Sequence, residues 1–157
     1  MLKRLQLSTE TLPAESALVA RDYCLCNHLR KADRVIRQIY DEALRPYGLK
    51  ATQFTLLNAI RLREPIKQTD LAERMVTDRT TLTRNLSSLE RQGLVQFQSG
   101  ADRRVKEISL TAQGHQRLAE AYPHWKQAQT KTEELLGKHQ VSKLLTELSE
   151  ITRKLGA

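Results

Sequence analysis

Cysteine is scarce: the 157-residue chain carries two, Cys24 and Cys26. That is too few for a disulfide scaffold and agrees with a reducing compartment. Residues two apart on one helix point to different faces, so on a shared helix the pair would be poorly placed to bond each other. A zinc site needs about four ligands. Four scattered histidines add little to two cysteines, and although Cys24 and His28 share a helical face, no metal is expected. Long apolar runs are missing too. No stretch approaches the ~20 residues of a membrane span, and the opening MLKRLQLSTETLP has no apolar core of signal-peptide length. The expected location is a bacterial cytoplasm, with no membrane partner. Catalytic signatures are also wanting: there is no Gly-rich phosphate loop, no nucleophile elbow and no cluster of carboxylates. A thiol enzyme using Cys24 or Cys26 with His28 is the enzymatic alternative; the reading adopted is a non-enzyme without a cofactor.

What is present is positive charge. Lys and Arg number 26 against 18 Asp and Glu, a net charge of +8, so the surface attracts polyanions such as nucleic acid. The length suits one domain with a real core. Residues 1–15 lack periodicity and read as a loose arm. Over residues 16–44, Leu25, Leu29, Ala32, Ile36, Ile39 and Ala43 recur at three- and four-residue steps, which predicts one long amphipathic helix ended by Pro46 and Gly48. Three shorter helices follow. TQFTLLNAIRL turns Phe54, Leu57 and Ile60 inward; TDLAERM opens on Thr69 or Asp70; TDRTTLTRNLSSLERQ opens on Thr77 or Asp78 and stops at Gly93, with Leu94 spaced to touch Leu89. Residues 95–98 and 105–110 read as two strands around SGAD, with Phe97, Ile108 and Leu110 inward. Helix resumes from Thr111 through Leu118, Ala121 and Trp125 to Leu135, with Pro123 expected to bend it and Gly137 to end it. In the last helix Val141, Leu148 and Leu155 are seven apart and flanked by Leu144 and Ile151, a coiled-coil-like seam. Nothing left in the chain covers both terminal helices, so a second subunit is expected.

Function concentrates in the third short helix. With Leu82, Leu86 and Leu89 inward, the opposite face is Thr80, Arg84, Ser87 and Arg91, with Thr81, Thr83 and Ser88 at its margins. Small hydroxyl residues permit close approach, and arginine reaches phosphates or the O6 and N7 edge of guanine. A short helix across a tight turn precedes it, the arrangement of a helix-turn-helix, and a basic hairpin follows. Such a hairpin is a wing whose tip, Arg103, Arg104 and Lys106, suits the minor groove, where a narrow channel concentrates negative potential. Asp102 and Arg104 share a side of extended chain, so the carboxylate can brace the guanidinium. Thr69 and Arg79, at the openings of the two helices, complete the candidate DNA-binding set. The fold class is mainly α, a winged helix-turn-helix domain with a small β-hairpin wing, flanked by N- and C-terminal dimerisation helices.

On QTDLAERM, TTLTRNLSSLERQGLV and the wing signature Asp102, Arg104 with SLTAQG after it, the chain resembles the MarR family of winged-helix transcriptional regulators, from about Leu18 to Leu155. The resemblance implies a single MarR-type domain over 1–157, with dimerisation helices at 16–47 and 112–157 and a DNA-binding region at 50–111. It implies a homodimer on a palindromic double-stranded operator, acting as a repressor released by a small aromatic or phenolic inducer or by an oxidant. It also implies a ligand cavity, for which His28, Tyr40, Phe54 and Trp125 are candidate lining residues, each also readable as plain core. One branch of the family senses organic hydroperoxides through a cysteine in the first helix; counted back without gaps from TQF, Cys26 falls at that position. Tyr40 matches one of the tyrosines that contact it, and Arg30 stands where another would be. Arg30 and Lys31 are basic neighbours that favour a thiolate. A basic nucleic-acid-binding protein with no regulatory role is the further alternative.

Overall fold

The computed structural model describes residues 11–99 and 106–156, and the chain divides at residue 36 into two compact units. In the first, α1 (Ala14–Tyr23) starts inside the stretch expected to be a loose arm, and the next helix, α2 (Leu25–Leu44), begins in this unit and ends in the second. The periodicity implied one unbroken helix here. The structure instead breaks it at Cys24, whose backbone is extended (φ −75°, ψ 103°). No Pro or Gly marks the break; side chains make it. Cys24 Sγ accepts the Asn27 N–H at 3.4 Å, Asn27 Nδ2 donates to the Arg21 carbonyl at 3.3 Å, and His28 Nε2 lies 3.0 Å from the Asp22 carbonyl. Each contact serves a backbone group orphaned at a helix end or places a helix cap. Cys24 and Cys26 therefore do not share one continuous helix, and the facing argument against their bonding lapses. Among the described residues of this unit no apolar side chain is buried: Leu18, Val19, Tyr23 and Leu25 are exposed, Tyr23 to 85%.

The second unit holds the core. After a 3₁₀ turn (Arg45–Tyr47) come α3 (Ala51–Arg61), β1 (Ile66–Lys67), α4 (Gln68–Arg74), α5 (Arg79–Arg91), β2 (Val95–Ser99), β3 (Lys106–Leu110), α6 (Ala112–Leu136) and α7 (Lys138–Leu155). The helices present Phe54, Leu57, Ile60, Leu71, Leu82, Leu86, Leu89 and Leu118 to one buried cluster, closed by Ile108 and Leu110 from the sheet. The inward sets of α3 and α5 are those their spacing implies. Pro123 lies within α6, and Gly137 separates α6 from α7. In α7 Val141 is buried, whereas Leu148 and Leu155 of the expected seam are exposed, as is Leu145 beside it.

The hairpin acquires a third strand. The antiparallel order is β1-β3-β2, with Val95 opposite Leu110, Phe97 opposite Ile108, and Ile66 also opposite Ile108. Two residues are too short for a period, so β1 left no pattern to find. Its pairing delivers extended backbone to α4, which begins at Gln68 with Lys67 as N-cap and no side-chain cap. Neither Thr69 nor Asp70 therefore caps that helix. Glu64 pins the adjoining corner: Oε2 accepts the Leu110 N–H at 2.8 Å, and Oε1 lies 3.2 Å from His115 Nε2 and 3.5 Å from Arg61 Nη1.

Candidate nucleic-acid interface

The geometry of α5 begins with its cap. Asp78 precedes the helix in extended conformation and accepts the Thr81 N–H at 2.8 Å. Hydrogen bonds from Thr81, the backbone N–H foremost, hold the Asp78 carboxyl below its ordinary value. At the other end Gly93 takes φ 70°, and the Leu94 N–H reaches back to the Leu89 carbonyl at 3.0 Å, so the left-handed stop stands where expected. Between these ends Leu82, Leu86 and Leu89 are at most 1% exposed, which fixes the rotation of the helix about its axis. Thr80, Thr81, Thr83, Arg84, Ser87 and Arg91 are consequently all exposed. Ser88, at the margin, is half-buried and receives the Gln92 amide at 3.1 Å on its carbonyl and 3.3 Å on its hydroxyl. Arg91 Nε donates to the Ser87 carbonyl at 3.3 Å, which lays that guanidinium along its own helix.

Beside α5 runs a groove of about 640 Å³, lined by the start of α4 (Gln68, Thr69, Asp70) with Lys67, the start of α5 (Arg79, Thr83) and the wing base (Lys106). Three cations face one carboxylate there, so the groove favours an anion. The Thr69 hydroxyl is turned onto Asp70 Oδ1 at 3.0 Å, and Gln68 Nε2 donates to Thr83 Oγ1 at 3.0 Å. Lys106 Nζ stands 5.9 Å from the centre of the Phe97 ring. The structure thus brings Thr69, Arg79, Thr83 and Lys106 around one groove and sets Thr80, Thr81, Arg84, Ser87 and Arg91 on the exposed helix next to it. Asp102, Arg103 and Arg104 lie outside the described residues. Lys67 and Gln68 were not among the expected interface residues; the signal for Gln68 is its place at the head of QTDLAERM, directly before Thr69 and Asp70.

The remaining candidates separate. Cys24 and Cys26 are exposed free thiols. They line a cleft of about 390 Å³ in the first unit with Asn27, Arg30, Lys31 and Arg34. In the second unit Phe54, 3% exposed, stacks on Trp125 with ring centres 5.7 Å apart, and Tyr122 also stacks on Trp125 at 5.7 Å. The Tyr40 hydroxyl donates to Gln129 Oε1 at 2.6 Å, one turn further along α6. Phe54 and Trp125 therefore meet as an aromatic stack, and Tyr40 is satisfied by an amide. Among the described residues no group of three or more His, Cys, Asp or Glu is placed to hold a metal, and no helix is long and apolar enough to cross a membrane.

Comparison with known proteins accords with this geometry. Residues 47–105 match the model of the MarR family. Among curated relatives, the uncharacterized HTH-type transcriptional regulator YwoH of Bacillus subtilis is 29% identical over 96 residues, covering 61% of this chain and 70% of that protein. An uncharacterized HTH-type transcriptional regulator of Bacillus cereus is 35% identical over 86 residues, 55% of this chain; the match spans 57% of that relative's length. Among solved structures, the transcriptional regulator MosR of M. tuberculosis in complex with DNA is 40% identical, with a TM-score of 0.74, over 83% of this chain and 97% of that one. A cysteine mutant of MarR from E. coli complexed with operator DNA shares the fold at 22% identity, with a TM-score of 0.77, over 85% of this chain and 97% of that one.

Proposed function

Because the chain belongs to the MarR family of transcriptional regulators, which bind DNA, we propose that it acts in the bacterial cytoplasm as a homodimeric repressor of a palindromic operator, released by a small-molecule or oxidant inducer. The observation that carries this reading is the face of α5: hydroxyl and arginine side chains exposed on one side of a helix whose other side is buried leucine. Residues 50–111 form the DNA-binding region. Arg84, Thr80, Thr81, Thr83, Ser87 and Arg91 face the major groove, and Thr69, Arg79 and Lys106 hold the backbone. Arg103 and Arg104, with Asp102 as brace, enter the minor groove. Residues 16–47 and 112–157 dimerise. Exposed Leu18, Val19 and Tyr23 in the first unit, and Leu145, Leu148 and Leu155 in the second, are the apolar surface a second copy covers. A mobility shift on DNA flanking the chain's own gene, with salt varied, tests the reading. Sequence-specific retention supports it; equal binding to any duplex, vanishing with salt, contradicts it.

One observation favours an oxidant over a small aromatic or phenolic inducer bound near Phe54 and Trp125. Cys24 caps α2 through its sulfur and shares a cleft with Arg30, Lys31 and Arg34. The nucleophile in this chemistry is the thiolate form of Cys24, which attacks the terminal oxygen of an organic hydroperoxide. An S–O bond forms, the O–O bond breaks, and the alkoxide leaves with the electron pair and takes up a proton. Cys26, two residues on and exposed, is the alternative seat of the same chemistry. Loss of peroxide-induced release in Cys24→Ser, Cys26→Ser or both, with DNA binding kept, supports the thiol reading. Release that persists in the double variant contradicts it.

A further inference from the structure

Gln68 stands where three elements meet. The residue before it, Lys67, pairs with Glu107 on β3 at the base of the wing. Gln68 opens α4, is half-buried, and its Nε2 donates to Thr83 Oγ1 on α5 at 3.0 Å. A threonine hydroxyl offers one proton and two lone pairs. Gln68 fills one lone pair, and no group among the described residues accepts the proton, which is left for the groove. The surrounding cations suit phosphates, which position a protein without reading sequence. A short hydroxyl of fixed polarity does something else: it separates acceptors from donors at a base edge.

We propose that Gln68 is a positioning residue for base recognition, setting Thr83 as a hydrogen-bond donor toward a major-groove acceptor: purine N7, guanine O6 or thymine O4. Adenine N6 and cytosine N4, themselves donors, are rejected at that point. The inference rests on α5 being the recognition helix.

The probe is a library of duplexes with a randomised core, from which the full-length wild-type chain selects its preferred sequence. Competition titrations then compare that duplex with its single-base-pair variants at fixed salt. Gln68→Ala and Thr83→Val should flatten preference at the same base pair by about three- to tenfold, the loss of one net hydrogen bond. The double variant should be no flatter than Thr83→Val alone, and the salt slope should stay unchanged. Thr83→Ser should keep the preference. Gln68→Glu gives the signature that a structural role would not: its carboxylate only accepts, so the Thr83 proton turns inward and preference moves to a base presenting an amino group. If Gln68→Ala fails to fold, Gln68→Glu and Thr83→Val carry the same decision. Uniform weakening across all duplexes with a smaller salt slope, or flattening at two different positions, overturns the proposal and leaves α5 as the reader. A wild-type chain that enriches no sequence overturns both readings.

Discussion

Gly114 lies in the first turn of α6, where that helix crosses the chain leaving α5, and replacing it by alanine sets two effects against each other. Alanine ordinarily gains up to about 1 kcal/mol over glycine in a helix. At this position an added Cβ would stand 3.0 Å from the Leu94 carbonyl carbon, overlap its oxygen, and lie 3.4 Å from Leu110 Cβ. The obstacle is backbone and cannot rotate away. It is also tied down: the Leu94 carbonyl accepts the Thr111 N–H at 3.1 Å, the Thr111 hydroxyl donates to the Gly93 carbonyl at 2.5 Å, and Thr111 Oγ1 accepts the Gly114 N–H at 3.0 Å. Relief means shifting the start of α6, at an overpacking cost of about 1–3 kcal/mol plus about 1 kcal/mol for the weakened Thr111 cap. The clash wins, leaving a net loss of about 1–3 kcal/mol after the propensity gain. At about 2–4 °C per kcal/mol for a chain of this size, Tm falls by about 2–12 °C. Thermal melting by circular dichroism reads this, and urea titration should show a lower midpoint at unchanged slope. Gly137 is the comparison: nothing lies within 4 Å of where a Cβ would stand, so Gly137→Ala should meet no clash and cost only the backbone strain of a side chain at φ 86°, about 1–3 kcal/mol. A Gly114→Ala protein that melts at or above wild type would refute the argument.

Arg84→Ala should relax base preference and cost about 1–3 kcal/mol of operator affinity if the arginine reads a guanine; equal wild-type-like binding to operator and random duplex would make that face merely solvated. Val76, a β-branched residue at φ 45° in the α4–α5 turn, is strained, so Val76→Gly should raise stability by about 0.5–1 kcal/mol, read as a higher urea midpoint; a lower midpoint would contradict it. The Asp78 carboxyl is lowered by the Thr81 hydrogen bonds, so its folded value lies below its unfolded one, near 3.9. Its stabilisation is full above the unfolded value and lost as pH falls through the folded one. The melting gap between wild type and Asp78→Ala should therefore be wide at pH 6 and shrink toward pH 3, and a constant gap would count against the cap. Leu148→Asp, on the exposed face of α7, should give a monomer in sedimentation that no longer retains operator; a stable dimer would contradict the seam.

The parts of this fold legible in the sequence are those written by burial and by local backbone chemistry. Leu82, Leu86 and Leu89 repeat at helical spacing because one side of α5 is core, and Asp78 and Gly93 bound it because a cap and a left-handed stop demand those residue types. What escaped was written in contacts between distant segments. β1 exists through its partner Ile108. The break at Cys24 depends on Asn27 and His28 reaching back to α1, with neither Pro nor Gly to announce it. Gln68 meets Thr83 only once β1 has set the start of α4. The apolar steps of Leu25, Leu148 and Leu155 are regular in the sequence yet exposed in the single chain, a pattern the proposed dimer accounts for.

The central claim, that two copies of α5 read two half-sites, is tested most directly by titrating the wild-type chain on three duplexes at one salt concentration. These are the selected palindrome, the same duplex with one half-site scrambled, and a random duplex, with the number of chains bound to each counted by sedimentation. The account predicts two chains on the palindrome, affinity at least about a thousandfold above random, and a steep loss on scrambling one half. Equal affinity for all three duplexes, or one chain bound per palindrome, would contradict it.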